Sequence, residues 1–438
     1  MKSKSSDKIV RLPASQNIWY ALATIAGDPF DFEGEERISI QQQNAYYWNG
    51  YMRQIIGEDA SAKLVKKIKA LKKQGELYGY HTPYDFMPEL SQEDINQVRK
   101  SLKQRKHSVK KLSDSCISFE RTEFEHINFY RFVFPIEVNF TEAKFKSIAF
   151  LNETYFEAGL IFTEVVSEFS TIFDSAIFGQ AGLFQKTNFG EMADFSGATF
   201  MFRSMFNSVE ASMISFDNAT FIHSPPVFYQ ANIKGAFSFI QCTFPSARML
   251  KHRTSFFDPS TPMPRKGVAN NQVGIYENLG LLMKQMEKHH DQHMFFRQEM
   301  RMRRILHSNP IYIIGNFLYW MISNYGYGIG RASAWWVGNI VLGSALLYIP
   351  RKGYEFTPFN WKNWETAFSL WYESLPLGVA NAFSFLGLSR GPLKEVVDNF
   401  PKEQLAIPYG FSGSLQTILG AIFLFFLLLT ARNRYRMS

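Results

Sequence analysis

The sequence predicts a multi-domain chain in which a β-solenoid lies between an α-helical N-terminal region and a C-terminal two-span α-helical membrane domain. Three observations predict it. Phenylalanine recurs at steps of five or six from Phe119 to Phe244. Two late segments, 332–350 and 411–431, carry no charged residue. Charge is segregated along the chain, with basic excess at the front and beside the apolar C-terminal third.

The first domain, 1–115, reads as helical and cytoplasmic, with 19 basic and 14 acidic residues. Its start, MKSKSSDKIV, is charged and lacks the apolar core of a signal peptide. LVKKIKALKKQ (64–74) places basic residues on most turns of a helix, with Leu64, Ile68 and Leu71 on one side. That face suits either solvent or anionic lipid. SQEDINQVRKSLKQRK (91–106) opens with Ser91 and Asp94, three positions apart, like a helix capping box.

The second domain, 116–250, holds the repeat. Its core positions include Phe124, Phe145, Phe173, Phe178, Phe184, Phe189, Phe195 and Phe200. A helix needs apolar spacings of three and four, and a plain strand needs two. A step of five fits short strands that turn a corner before the next buried ring. Two residues before most of these rings sits a small or apolar residue, such as Thr122, Ala143, Thr154, Ala176, Ala198 or Cys242. Residues two apart on an extended strand point the same way, so the pair enters one interior. Stacked coils then build a core one repeat at a time. Coils of about 20 residues, roughly 4.8 Å apart, would make some six coils. Phe162 to Phe173 skips a ring, Ala211 takes a ring position, and Pro225 with Pro226 precedes Phe228. These irregular steps read as loops or bent corners. The domain carries 8 basic and 14 acidic residues, net −6, with Glu123, Glu125, Glu142, Glu157 and Asp174 on its outer faces.

ADFSGATF (193–200) and KTNFGEMADF (186–195) resemble the pentapeptide-repeat family in its Phe-centred form. The resemblance implies a right-handed, four-sided β-helix. NIWYALATIAGDP (17–29), NAYYWNGYM (44–52), YENLGLLMKQMEKHHDQHMFFRQEMRMRR (276–304) and LLLTARNRYR (427–436) extend the likeness to pentapeptide-repeat membrane proteins of bacteria. That likeness informs architecture far more than activity.

A linker and juxtamembrane helix follow over 251–310, with one helix expected across 276–304. The membrane domain, 311–438, has spans near 332–350 and 411–431, each long enough to cross a bilayer as a helix. Trp335, Trp336 and Tyr348 supply interface aromatics for the first. Arg301, Arg303 and Arg304 precede the spans, and Arg432, Arg434 and Arg436 follow them. The positive-inside rule then predicts an inner (plasma) membrane protein, multi-pass, with both termini cytoplasmic. Between the spans, 364–389 is apolar but holds Glu365 and Glu373, so a re-entrant or interfacial segment is expected. Span, short segment, span resembles the two-transmembrane ion-channel plan, with Glu373 and Ser374 where that plan has its pore segment. No TVGYG filter is present, so potassium selectivity does not carry over. Gly413, Thr417 and Gly420 share a face of the second span, for either a pore or helix packing.

Motifs of chemistry are absent. Two cysteines, Cys116 and Cys242, give no disulfide framework. His289 and His293 share a helix face but are two ligands without a third, so no metal site is expected. YGYGIG (325–330) lacks the strand and lysine of a phosphate loop and reads as a turn. No nucleophile has a credible base, so the chain is expected not to be an enzyme, and no cofactor is expected. The function expected first is an oligomeric ion-channel-like pore or membrane effector, a tetramer if a pore, controlled by the repeat domain. The alternative is a membrane-anchored scaffold whose β-helix binds protein partners. A DNA-mimicking topoisomerase binder comes last, and no nucleic acid is expected. The lipid bilayer is the one partner common to the first two.

Overall fold

A computed structural model describes residues 9–73, 87–105, 107, 116–245, 265–347, 364–383, 394–399 and 407–435 of the 438. The chain divides into two units, Met1–Leu282 and Met283–Ser438.

In the first unit, strand β1 (Leu12–Pro13) precedes helices α1 (Ile18–Ala23), α2 (Gly34–Ile56), α3 (Glu58–Lys73) and α4 (Gln92–Gln104). Asn17 starts α1 by accepting from the Trp19 amide at 2.9 Å. Ser91 and Asp94 form the reciprocal capping box of α4. Leu64 and Ile68 of α3 are buried, while Lys63, Lys66 and Lys69 are exposed.

From Cys116 the chain winds a β-solenoid of about six turns. Its short strands stack in parallel into four sheets, one per side. The register is about 22 residues per turn. Phe134 pairs with Phe156, Phe156 with Phe178, and Phe178 with Phe200. The turn is thus longer than the expected coil of about 20 residues, because sides of five and six positions alternate. The rings line four interior columns. In one column Phe178 stacks on Phe200 at 4.6 Å, nearly parallel at 5°. In another, Phe173, Phe195 and Phe216 stack at 4.9 and 5.1 Å. Phe124, Phe145, Phe173, Phe184, Phe189, Phe195 and Phe200 are fully buried and Phe178 is 1% exposed.

The ring-poor steps are not loops. Val166–Ser167 is a strand that pairs in register with Lys144–Phe145, and Ser167 takes the ring position. Glu210–Ala211 pairs likewise with Asn232–Ile233. The coil path is held by the backbone ladder, so a small residue thins one column without breaking the winding.

Two of the four corners share a conformation that recurs twice in every turn. Arg121, Arg131, Glu142, Glu153, Glu164, Ser175, Lys186, Gly197, Ser208, Asn218, Gln230 and Gln241 all have φ between 50° and 65°. Left-handed backbone disfavours side chains with a Cβ. Ladder hydrogen bonds hold it here: Glu142 N–H donates to Thr163 O at 3.0 Å and Glu153 N–H to Asp174 O at 2.8 Å.

Both ends of the solenoid are covered. At the first coil, β1 pairs with Thr122–Glu123, and Trp48 of α2 stacks on Phe132 at 5.2 Å. At the last, helix α5 (Arg265–Gln285) sets buried Tyr276 at 6.4 Å from Phe244. Gln272 Nε2 there donates to His223 O at 2.9 Å. Stacked-repeat folds need such caps, because a bare end leaves a coil's core open to water.

The second unit begins in the last turn of α5, with Glu287 at φ 58°, and continues as α6 (His289–Leu306). The single helix expected over 276–304 is therefore broken near Glu287. Helices α7 (Pro310–Ser323), α8 (Ile329–Leu347), α9 (Trp364–Ala382), α10 (Lys394–Asn399) and α11 (Tyr409–Tyr435) follow. Among the described residues, α11 is the one helix long and apolar enough to cross a membrane. Arg331 and Asn339 lower the mean hydropathy of α8, which occupies the place expected for a first span. Helix α9 covers the front of the interfacial segment expected at 364–389; positions 384–389 lie outside the described residues.

Candidate functional site

Two places in the molecule present something beyond a packed core. One is the outer surface of the solenoid. Among the described residues, six of its fourteen acids are matched by cations on the neighbouring coil. Arg121 meets Glu142 at 2.5 Å, Arg131 meets Glu153 at 2.8 Å, and Lys186 meets Glu164 at 2.7 Å. These six residues stand at the left-handed corners, so the ion pairs run up the corners as ladders. Lys146 bridges Glu123 and Glu125, and its ammonium is held well above the usual lysine range by them. Lys67 of α3 reaches Glu157 at 2.8 Å. Of the five acids singled out from the sequence, Asp174 alone forms no ion pair among the described residues. Burial, then the neighbouring Asp194, pushes its carboxyl up.

The other place is the bundle of α8, α9 and α11, whose polarity is reversed. Polar side chains are inside: Asn339, Ser344, Ser374, Asn381, Ser412, Gln416 and Thr430 are all buried. Apolar ones are outside: Val337, Leu342, Phe411, Ile418, Ile422, Phe425 and Leu428 are exposed, Phe425 by 62%. The interior groups find partners. Gln416 Nε2 donates to Asn339 O at 3.1 Å, and Asn339 Nδ2 donates back to Gln416 O at 3.3 Å. Trp371 Nε1 donates to Val341 O at 2.9 Å, and Tyr409 OH to Asn381 Oδ1 at 3.2 Å. Small residues let the backbones meet. A Cβ on Gly378 would lie 2.0 Å from Ser344 Oγ, and one on Gly420 would lie 2.8 Å from Ala382 Cα.

The predicted residues fall around this seam. Gly420 is buried on the backbone of α9, and Gly413 is buried beside the Tyr409 ring and Asn381. Thr417 is half-buried between them. Ser374 is buried, donating to Trp371 O at 2.8 Å. The side chain of Glu373 and all of Arg436 lie outside the described residues. Arg301 donates to Gln298 Oε1, Arg303 pairs with Glu299, and Arg304 lies 5.8 Å over the Trp320 ring. Arg432 and Arg434 close the last turn of α11.

Sequence reasoning passed over two groups. Helix α7 is one; IYIIGNFLYWMIS (311–323) is uncharged throughout but shorter than a span. The other is a cluster where YGYGIG turns into α8. Tyr327 OH meets His290 Nδ1 at 2.5 Å, and Arg297 stacks at 4.8 Å over the same ring. The His293 ring lies 6.0 Å away. Burial, then Arg297 and the adjacent histidines, hold the His293 imidazole below its ordinary range. The histidine that meets this turn alongside His293 is His290 rather than His289. Among the described residues no three His, Cys, Asp or Glu side chains converge on a common point.

Compared with family models, curated proteins and solved structures, the chain matches none.

Proposed function

We propose that the chain is a membrane-anchored scaffold: an integral inner-membrane protein with α8 and α11 crossing the bilayer and a cytoplasmic pentapeptide-repeat solenoid that binds protein partners. The reversed polarity of the bundle carries this reading. Water drives apolar side chains inward, whereas hydrocarbon leaves them outside and requires polar groups to be satisfied within. Seven buried polar side chains beneath a shell of exposed Ile, Leu, Phe and Val match the second solvent. Close helix approach through Gly378 and Gly420 is how membrane helices associate without a hydrophobic drive. Arg432 and Arg434 in the last turn of α11, and Arg301, Arg303 and Arg304 before α7, favour both termini on the cytoplasmic side.

The small-residue face of α11 supports an anchor rather than a conduit. Gly413 and Gly420 pack on α9 of the same chain, so that face is used within one copy. Partner binding belongs on the solenoid's outer sides, whose paired charges and rigid columns form a fixed surface. The corner ladders interleave positive with negative charge along the solenoid's sides, unlike the uniformly negative backbone of a nucleic acid. No catalytic role, metal or cofactor enters this proposal. The test is replacement of 311–438 by an unrelated two-span anchor. Retained partner capture and phenotype support a scaffold; lost phenotype with intact localisation overturns it.

A second reading, an oligomeric pore, is favoured by the order of α8, the Pro376-containing α9 and α11. It needs several copies, commonly four, around one axis. Conductance in planar bilayers from the purified oligomer supports it, and a non-conducting monomer removes it.

A further inference from the structure

We infer that α7 is an interfacial helix that lies in the headgroup layer of an anionic bilayer, with Arg304 and Arg331 taking lipid phosphate. The inference rests on the membrane reading above and adds a second mode of attachment to it.

The helix has the wrong polarity for water. Ile311, Ile314, Phe317 and Leu318 lie along one stripe at 79%, 58%, 43% and 41% exposure. The opposite side is polar and satisfied by protein. Asn316 is buried, donates to Met300 O at 3.3 Å and accepts from Tyr325 OH at 2.9 Å. Ser323 is buried and donates to Tyr319 O at 2.9 Å. The bare stripe therefore faces outward by construction. Fourteen residues at 1.5 Å each reach roughly 21 Å, short of the ~30 Å hydrocarbon core. An uncharged helix too short to cross, with its apolar side open, suits the boundary between headgroups and chains.

Contacts fix its level. Tyr319 stacks on Phe426 of α11 at 5.7 Å, and Asn433 Nδ2 donates to Gly326 O at 3.0 Å in the turn after α7. The end of α7 thus sits at the arginine-bearing end of α11, where a crossing helix leaves the bilayer. At that level Arg304 and Arg331 lie 5.8 and 5.9 Å over the one indole of Trp320. Neither arginine forms an ion pair among the described residues. Two guanidiniums held on an interface aromatic, beside an open apolar stripe, complement an anionic headgroup and its acyl chains.

The full chain, with Cys116 and Cys242 changed to Ser, is labelled with a nitroxide at Ile314→Cys or, as reference, at Ile422→Cys on the exposed side of α11. It is placed in phosphatidylcholine vesicles with or without a quarter phosphatidylglycerol. Oxygen and nickel-chelate accessibility are expected to put 422 in the hydrocarbon and 314 just below the phosphates. Association of spin-labelled phosphatidylglycerol should fall roughly five-fold for each of Arg304→Gln and Arg331→Gln. An aqueous signal at 422 overturns the membrane reading itself. With 422 in lipid, an aqueous, mid-bilayer or protein-shielded 314 overturns the interfacial helix. Equal retention of the two lipids by the unmodified arginines overturns the preference for an anionic headgroup, and retention unchanged in both arginine variants overturns the phosphate contact.

Discussion

Trp48 lies flat on Phe132, ring centres 5.2 Å apart and 25° from parallel, while its indole N–H donates to Val133 O at 3.0 Å. Asn49, the next residue, donates to Arg131 O at 3.0 Å and accepts from Val133 N–H at 2.7 Å. One helical turn of α2 therefore closes both the apolar and the polar side of the first coil.

Trp48→Ala is expected to cost about 3–5 kcal/mol, the range for deleting a fully buried large aromatic. It also uncovers a sheet end able to pair with another chain. Thermal unfolding with light scattering checks both. An unchanged midpoint without aggregation would show that α2 does not cap the solenoid.

Asp174→Asn is expected to stabilise the solenoid at neutral pH. Burial and Asp194 raise the Asp174 carboxyl in the folded chain, so the folded state disfavours its charge. A raised carboxyl lets wild-type stability grow as pH falls through the folded value, and the gain is complete below the unfolded one. The advantage of the variant should then be greatest at neutral pH and shrink toward pH 4. Parallel denaturant titrations would expose the error if the gap widened on acidification.

Glu123 behaves in the opposite sense. Its carboxyl is lowered, mainly by the hydrogen bond from Lys146, so its contribution is full above the unfolded value and is lost as pH falls through the folded one. The pair is half-exposed at the surface, so the effect is small. Glu123→Gln should flatten the acid limb slightly and leave the neutral midpoint within about 0.5 kcal/mol. A larger neutral loss would mean the pair is structurally required.

His293 is a base held low by burial and by Arg297. The folded state therefore binds its proton less readily than the unfolded chain does. Stability from the neutral ring is full above about 6.5, the unfolded value, and declines as pH falls below it. His293→Gln should remove that slope between pH 7 and 5 in detergent-solubilised protein. A variant as acid-sensitive as the parent would count against this assignment.

Gly420→Leu is expected to part α9 from α11, since even a Cβ there would lie 2.8 Å from Ala382 Cα. Overpacking of a tight contact costs typically about 1–3 kcal/mol, and here the obstacle is backbone. The readout is the detergent melting midpoint, with Ile418→Leu on the exposed side as control. Equal midpoints for the two variants would refute the close approach.

The solenoid is legible in the sequence because its core residue is nearly invariant within the chain. A ring every fifth or sixth position cannot be lodged on a helix or a flat strand, so the winding follows from Phe119 onward. The corners are not legible. Left-handed positions are ordinarily betrayed by Gly or Asn, yet Arg121, Glu142, Glu164 and Lys186 occupy them, held by ladder bonds and by one another. Of the corner residues, Gly197 and Asn218 carry the usual mark. The steps at Ser167 and Ala211 mislead for a related reason: a missing ring looks like a missing strand when the backbone register cannot be seen. In the second unit, α11 is plain from composition. The partners of Gln416 are not, because reciprocal hydrogen bonds to Asn339 across 77 positions leave no local pattern. The front segments with Trp19, Trp48 and Asn49 are visible as motifs, but their capping work needs the first coil beside them.

A turn of about 22 residues, built from two near-equal halves, also acts as a ruler. Insertion or loss of one whole turn would lengthen or shorten the stack by a single strand spacing and leave the chain's exit on the same side. A half-turn change would swing that exit to the opposite side and exchange the ion-bearing corners. Natural or engineered length variants should therefore differ by whole turns, and a partner gripping one side would meet its footprint displaced along the axis but not turned away.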